Sequence, residues 1–209
     1  VEEPVEAGLE VADAGRLDVV EVAVGGSPQD DDLALDGMAH LAFLRSPYAH
    51  ARLSSIDVSA ARQAPGVVAV YTGADIKDKV VPVPCAWNPP NCDLKVPPHP
   101  LLAHDRVRYV GDGVAMVVAE TRAAARDAID LIDVDYDTLQ GGVDPEKMAQ
   151  PGEPQLHDEV PNNVAFTWVV AGGDAEQAFK TAEVTVKQRI VQQRLLPTAM
   201  EPRAAVASY

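Results

Sequence analysis

The chain has 209 residues, of which 47% are hydrophobic and 23% are charged, a balance typical of globular proteins that excludes a disordered or fibrous chain. Its length corresponds to one or two domains, and a chain of this length buries enough surface to fold without a disulfide or a metal. Seventeen basic and 32 acidic residues give a net charge of −15, which argues against a nucleic-acid partner because an acidic surface repels phosphate.

The sequence also bears on location. No apolar stretch approaches the roughly 20 residues of a membrane span. The chain opens with Val-Glu-Glu-Pro-Val-Glu, which is acidic where a signal peptide would be basic and then apolar. We therefore expect a soluble, cytoplasmic protein.

Residues 1–36 are an N-terminal segment to which no fold is assigned. Residues 18–24 alternate weakly between polar and apolar side chains, as a short strand would. Three consecutive aspartates at 30–32 are interpreted as a solvated turn, because the spacing and the terminal glutamate of an EF-hand calcium loop are missing.

Residues 37–139 carry the pattern of a small α+β domain. Apolar or alternating runs predict strands at 38–44, 67–71, 106–110, 114–119 and 133–137. Two helices are expected, one at 60–64 with Ser59 as its N-cap and one from Thr121 to about Leu131. The buried face of the second helix is predicted to contain Ala125, Ala128, Ile129 and Ile132.

Two irregular segments interrupt this domain. Residues 77–104 contain seven prolines, which exclude a helix or an interior strand and predict a long ordered loop that shapes an interface or a substrate entrance. Gly111-Asp112-Gly113 is expected to form a tight turn or a bulge between two strands. It lacks the later glycine of a dinucleotide-binding fingerprint.

Residues 140–161 form a linker rich in proline and glycine, and residues 162–209 begin a second α+β domain. Strands are predicted at 164–170, at 184–195 and from 204 onward. The helix at 175–182 is predicted to bury its apolar face, formed by Ala178, Phe179 and Ala182. Because the last strand pattern runs to Tyr209 without a capping turn, we expect the chain to be part of a longer protein or of a split one.

The candidate site residues carry no known catalytic signature. Cys85 and Cys92 are interpreted as reduced bystanders, although a disulfide or a metal site with His99 or His104 remains open. His50 lies between alanines and is expected to be packed and hydrogen-bonded. Glu201 is expected to form a local salt bridge with Arg203 or Arg194.

Eight segments, taken in order, point to a known family. They include Arg-Ser-Pro-Tyr-Ala-His-Ala-Arg-Leu at 45–53 and Gln-Arg-Leu-Leu-Pro-Thr-Ala-Met-Glu-Pro-Arg at 193–203. The others lie at 56–57, 65–76, 102–103, 107–112, 117–121 and 132–137. The series resembles the molybdopterin-binding large subunit of the xanthine oxidase, aldehyde oxidase and carbon monoxide dehydrogenase family.

This resemblance implies an a/b hammerhead domain at 37–139 and the beginning of a molybdopterin-binding domain at 162–209. It further implies an oxidoreductase that oxidises an aldehyde, carbon monoxide or a heterocycle with oxygen from water. The complete enzyme would carry molybdopterin cytosine dinucleotide or a related molybdenum cofactor. Its partners would be the remainder of the molybdenum subunit and iron–sulfur and FAD subunits or domains.

The family's functional residues do not transfer to this chain. Its glycine-rich cofactor loop, its arginines near the metal and its base glutamate are expected further along than Tyr209, and residues 1–36 lack the family's usual opening. No catalytic, cofactor-binding or metal-binding residue is therefore assigned, and the chain alone is expected to be inactive and to bind no cofactor. Two alternatives are a free-standing hammerhead-like binding or assembly protein without redox activity and a small metal-binding module.

Overall fold

The computed structural model describes residues 19–23, 35–193, 195 and 204–208. Its strands are β1 (Val19–Ala23), β2 (Met38–Arg45), β3 (Ala51–Asp57), β4 (Val67–Thr72), β5 (Arg106–Val107), β6 (Gly113–Ala119), β7 (Asp133–Thr138) and β8 (Ala204–Ser208). Its helices are α1 (Ser59–Arg62), α2 (Gly73–Ile76), α3 (Arg122–Ile129), α4 (Pro145–Met148) and α5 (Ala175–Thr181), with a short 3-10 helix at Pro161–Asn163. None of these helices is long and apolar enough to cross a membrane.

The strands form two sheets. One has the order β4-β6-β2-β1-β8, in which β1 and β2 are parallel and the other pairs are antiparallel. The other is antiparallel with the order β5-β3-β7. Mixed strands with short helices confirm the predicted α+β class.

The core is centred on β6, every residue of which is buried. Its sequence, Gly-Val-Ala-Met-Val-Val-Ala, is apolar throughout because both faces of the strand are covered. Ala128 and Ile132 pack against Val117 in the main core cluster, and Ala125 is also buried. The predicted buried face is confirmed for Ala125, Ala128 and Ile132, the last of which lies just beyond α3, whereas Ile129 is partly buried against the same cluster.

Most local predictions in 37–139 are confirmed, including the strands at 38–44, 67–71 and 133–137. The Thr121 hydroxyl accepts a hydrogen bond from Ala124 N at 3.1 Å and so caps α3 as predicted. The prediction for Ser59 is wrong, since Val58 is the N-cap residue of α1 and Ser59 is its first residue. The Ser59 hydroxyl donates a hydrogen bond of 2.6 Å to Asp57 Oδ1. The hydroxyl is therefore bound to a residue that precedes the helix and does not cap it.

The strand predicted at 106–110 is shorter than expected and belongs to a different sheet from its neighbour. Within the predicted range, only Arg106–Val107 form a strand, which is β5. This strand pairs with β3, whereas β6 pairs with β2 and β4. The turn between β5 and β6 therefore carries the chain from one sheet to the other. Gly111 has a φ of +95°, which favours glycine, while Gly113 lies in β6 without a positive φ.

Predictions for the second part of the chain are confirmed only in part. Helix α5 begins after Asp174, whose side chain accepts from Gln177 N at 2.9 Å, and β8 forms where a strand was predicted. Residues 164–170 and the described residues of 184–195 form no strand, because within the described chain they have no strand to pair with. The predicted apolar face of α5 is exposed, and Phe179 is 67% exposed.

Helix α2 depends on a glycine. A Cβ at Gly73 would lie 2.7 Å from the carbonyl carbon of Ala103 and closer still to its oxygen. Ala103 is held in place because its N–H donates to Gly113 O at 2.7 Å. The backbone therefore cannot move aside easily.

We expect Gly73→Ala to lower the free energy of unfolding by about 3 kcal/mol, because overpacking against fixed backbone forces a shift of the core. Gly172→Ala is the matched control, since nothing lies within 4 Å of its Cβ position and its φ is not positive. Urea denaturation of both variants measures the difference. Equal stability of the two would contradict the close approach.

The carboxylate of Asp75 closes a capping box at the start of α2. Burial raises its pKa, but hydrogen bonds from Thr72 N and Thr72 Oγ1, both 2.7 Å long, and the nearby Arg62 together hold the pKa below its usual value. A lowered pKa means that this stabilisation is present above the unfolded-state pKa and is lost as the pH falls through the folded-state pKa.

Asp75→Ala is therefore expected to lower the free energy of unfolding by about 1 kcal/mol at neutral pH. Its difference from wild type should shrink as the pH falls from about 4, near the unfolded-state pKa, through the lower folded-state pKa. Denaturation midpoints measured at several pH values test this. Asp78→Ala, at an exposed carboxylate nearby, is the control and should leave the stability at neutral pH unchanged.

Candidate functional site

Three segments meet around one cleft. The first is residues 77–104, called here the Pro-rich loop. The second is the turn at 108–112 between β5 and β6, and the third is the segment that follows α4. The Pro-rich loop has no helix or strand, as predicted. It is closed by a hydrogen bond from Val83 N to His99 O at 2.8 Å.

These segments enclose a cleft of ≈420 Å³, called here the junction cleft. Its walls are mostly apolar and come from the Pro-rich loop, while its polar groups come from the turn, from the linker and from His99. The lining residues are Val83, Pro84, Cys85, Val96, Pro97, Pro98, His99, Pro100, Arg108, Tyr109, Asp112 and His157.

Asp112 organises the turn. It is 6% exposed, and its carboxylate accepts the Arg108 N–H at 3.0 Å. Burial, the charge of Asp112 and a hydrogen bond to its carboxylate raise the pKa of Tyr109, so its hydroxyl stays protonated. The Tyr109 Oη also lies 3.3 Å from His99 Nε2, which extends this network into the Pro-rich loop.

Two arginines tie the linker to the domain formed by residues 37–139. Arg108 Nε donates to Leu156 O at 3.1 Å, and Arg106 Nη1 lies 3.7 Å from Asp158 Oδ1. His157 sits between these contacts. Burial, and the charges of Arg108 and Arg106, hold its pKa below the usual value despite the opposing effect of Glu159, so its ring is neutral at neutral pH.

Asn163 fixes the end of the linker. Its side-chain amide donates to Met148 O and to Pro154 O, and its carbonyl accepts from Leu156 N, all at 2.9 Å. Its φ is +56°, a left-handed conformation that asparagine adopts more readily than most residues. The linker at 140–161 is therefore packed and hydrogen-bonded rather than an open tether.

The sequence-predicted site residues are placed as follows. His50 is 6% exposed, with Nδ1 bonded to Gln140 O at 2.9 Å, and its Nε2 is buried without a hydrogen-bond partner in the described chain. Cys85 and Cys92 are free thiols. Within the described residues no three His, Cys, Asp or Glu side chains come together as a metal site, so the metal-binding alternative gains no support.

Some of the earlier predictions concern residues outside the described ranges. The solvated turn at 30–32 and the salt bridge of Glu201 with Arg203 or Arg194 belong to this group. Sequence reasoning did not single out Arg108, Tyr109, Asp112, His157 or Asn163 as site residues. Only the consecutive asparagines at 162–163 carried a local signal, a preference for left-handed backbone.

An aromatic cluster joins the Pro-rich loop to the beginning of the second region. The ring of Trp87 lies 4.8 Å from that of Phe166 and 6.0 Å from that of Trp168, and Lys95 N donates to Ala165 O at 2.8 Å. Beyond the cluster, residues 169–195 expose many large apolar side chains. Those at least 65% exposed are Val169, Val170, Phe179, Val184, Val186, Ile190, Val191 and Leu195.

Two family models match the chain. The model described as aldehyde oxidase and xanthine dehydrogenase, a/b hammerhead domain, matches residues 30–140. The model of the molybdopterin cofactor-binding domain matches residues 156–209. The first match alone covers more than half of the chain.

Individual proteins agree with these matches. The nicotine 6-hydroxylase large subunit of Paenarthrobacter nicotinovorans is 38% identical over 93% of this chain and 23% of its own length. The carbon monoxide dehydrogenase large chain of Afipia carboxidovorans is 34% identical over 92% of this chain and 25% of its own. This chain thus spans about a quarter of the length of both relatives.

Two solved structures are also similar. Quinoline 2-oxidoreductase from Pseudomonas putida 86 is 42% identical, with a TM-score of 0.55, over 61% of this chain and 16% of its own. Aldehyde oxidoreductase from Desulfovibrio gigas is 31% identical, with a TM-score of 0.65, over 77% of this chain and 18% of its own.

Asn163→Ala is expected to lower the free energy of unfolding of the linker by about 2 kcal/mol, because it leaves two carbonyls and one N–H without partners. Hydrogen exchange of amides at 148–163 should show the loss locally. Asn162→Ala is the matched control, since Asn162 shares the positive φ and forms none of these three bonds. Equal exchange in both variants would show that backbone conformation, and not the side-chain bonds, holds the linker.

Proposed function

The chain belongs to the aldehyde oxidase and xanthine dehydrogenase family through its a/b hammerhead domain, and from this premise we propose that it is part of the large subunit of a molybdenum hydroxylase. In this proposal residues 37–139 are the hammerhead domain, 140–161 the linker and 162–209 the beginning of the molybdopterin-binding domain. Residues 1–36 stay unassigned. The two family matches and the quarter share of the relatives' length support this division.

The observation that carries the proposal is the fixed junction between the two regions. Arg108 holds Leu156, and Asn163 holds the segment from Met148 to Leu156. The molybdopterin-binding region therefore leaves the hammerhead domain in a defined direction. We infer that the hammerhead domain acts as a rigid platform on which the cofactor domain is built.

The exposed apolar side chains at 169–195 support a partner on this platform. Val184 and Val186 alternate along the chain and are 77% and 80% exposed. Large apolar side chains exposed in such number are typical of an interaction surface. The partner proposed for it is the remainder of the molybdenum subunit.

The residues that line the junction cleft do not fit a molybdopterin. Its phosphate needs free N–H donors or a free cation, but the guanidinium of Arg108 in the junction cleft is occupied by Leu156 O, Arg106 O and Asp105. We propose that the residues that hold the cofactor lie elsewhere in the complete enzyme. Whether its cofactor is the cytosine dinucleotide form is part of the same proposal.

The proposed reaction oxidises a carbon centre with water, so that R–H and H₂O give R–OH, two protons and two electrons. The molybdenum cofactor supplies this two-electron chemistry when it is bound. A nitrogen heterocycle is the favoured substrate class, because the names of the nicotine and quinoline enzymes, at 38% and 42% identity, indicate such substrates. Carbon monoxide or an aldehyde is the second candidate.

The electrons would leave through iron–sulfur and FAD subunits or domains, which completes the proposed set of partners. A cytoplasmic location is proposed with them. The contrasting function is a free-standing hammerhead-like binding or assembly protein without redox activity.

The experiment is to purify the native protein that contains this sequence and to measure its molybdenum content. It should contain stoichiometric molybdenum and should transfer heavy oxygen from labelled water into a hydroxylated product of quinoline or nicotine. Carbon dioxide from carbon monoxide, or an acid from an aldehyde, would select the second substrate class. A protein without molybdenum would contradict the proposal and favour the free-standing alternative.

A separate substitution tests the proposed role of the hammerhead domain as a platform. Arg108→Leu should lower the molybdenum content of the purified enzyme, because loss of the charge-assisted bond to Leu156 loosens the junction. Arg126→Leu, at an exposed position on α3, is the matched control and should leave the content unchanged. Equal molybdenum content in both variants would refute the platform role while leaving the family assignment intact.

A further inference from the structure

We propose that the junction cleft binds a small, neutral, planar heteroaromatic molecule between its proline walls, with His157 as the hydrogen-bonding group. The proposal does not rest on the molybdenum chemistry, because every residue it uses lies in the described chain at 83–157. The cleft can therefore be tested whatever reaction the complete enzyme performs.

The size of the cleft suits such a molecule. Its volume of ≈420 Å³ falls in the lower part of the range of about 300–1,000 Å³ found for small-molecule sites. A cavity of about 150 Å³ accommodates benzene. A fused two-ring molecule therefore fits, with space to enter from the open side.

The walls are rigid and apolar. Four prolines, at 84, 97, 98 and 100, line the cleft, and the fixed φ of proline leaves little freedom to lose when a ligand binds. The rings of His99 and Tyr109 stand nearly perpendicular, at 82°, with centroids 6.1 Å apart. Such walls offer edge and face contacts to a flat aromatic ring.

The charged groups that line the cleft, Arg108 and Asp112, already have partners within the protein. The cleft therefore favours a neutral ligand. The Arg108 guanidinium is bound to Leu156 O and Arg106 O, with Asp105 at 3.6 Å. The buried Asp112 carboxylate is bound by Arg108 N and by the Tyr109 hydroxyl. A charged ligand would lose its hydration without gaining a free counter-charge.

One polar group in the cleft is not committed. The His157 ring lines the cleft and forms no hydrogen bond within the described part of the chain. Burial and the neighbouring arginines keep its pKa low, so the neutral ring carries one N–H donor and one acceptor nitrogen. This pair suits a ring nitrogen or an adjacent carbonyl of a heterocycle.

The test uses quinoline and the two free thiols. Cys85 is exposed and lines the cleft, while Cys92 does not line it and serves as the internal control. Quinoline at about 1 mM, a concentration that detects weak binding, should slow alkylation of Cys85 in the full chain by iodoacetamide at least twofold. Alkylation of Cys92 should not change. This readout reports the location of binding, so a substrate site elsewhere does not contribute to it.

Three comparisons sharpen the result. N-methylquinolinium, which has the same shape and a fixed charge, should protect Cys85 far less. Val96→Trp fills the cleft and should abolish the quinoline dependence, whereas Val143→Trp, at a fully exposed residue outside it, should preserve it. His157→Phe keeps an aromatic ring but should weaken binding about fivefold through loss of one hydrogen bond.

Several outcomes would overturn the proposal. Unchanged alkylation of Cys85 with quinoline means that the cleft does not take the ring. Equal protection by N-methylquinolinium refutes selection for a neutral molecule, and unaltered affinity in His157→Phe refutes the hydrogen-bonding role. Protection that persists in Val96→Trp places the binding outside the cleft.

Discussion

The structure depends on the way in which a buried aspartate holds the turn between β5 and β6. Asp112 is 6% exposed and binds the Arg108 N–H through its carboxylate, while its backbone carbonyl accepts from Ser46 N at 2.8 Å. A buried carboxylate is tolerable only when it is hydrogen-bonded, so this turn has little freedom to rearrange. It sends β5 into one sheet and β6 into the other, and it directs Arg108 toward the linker.

The same turn couples features that are distant in sequence. Arg108 reaches Leu156 across 48 residues, and Tyr109 meets His99 from the Pro-rich loop. A long loop costs only slowly increasing entropy to close, but it needs anchors to keep one conformation. The bonds of Val83 to His99 and of Ala103 to Gly113 are such anchors. These anchors therefore fix the loop that forms the apolar walls of the junction cleft.

The sequence predicts features that depend on neighbouring residues better than features that depend on contacts between distant segments. The apolar run of β6, the periodic face of α3 and its Thr121 cap are local signals, and all were predicted from the residues. The turn at Gly111-Asp112-Gly113 was predicted, but the roles of Asp112 and Arg108 in the site were not, because those roles depend on partners in other segments. The Ser59 cap failed for a local reason, since Asp57 two residues earlier binds its hydroxyl. Family membership came from an ordered series of segments, which contains more information than any one motif.

The mismatch in the second region has a physical meaning of its own. Residues 184–195 have the sequence of a strand, yet those that the structure describes have no strand partner and expose Val186, Ile190 and Val191. A strand pattern specifies one buried face, but its backbone hydrogen bonds need a neighbouring strand. The alternation therefore predicts a sheet that the described residues do not complete. The hammerhead core satisfies its own pattern, whereas this region does not, and that contrast supports the proposal that the platform receives further polypeptide at this surface.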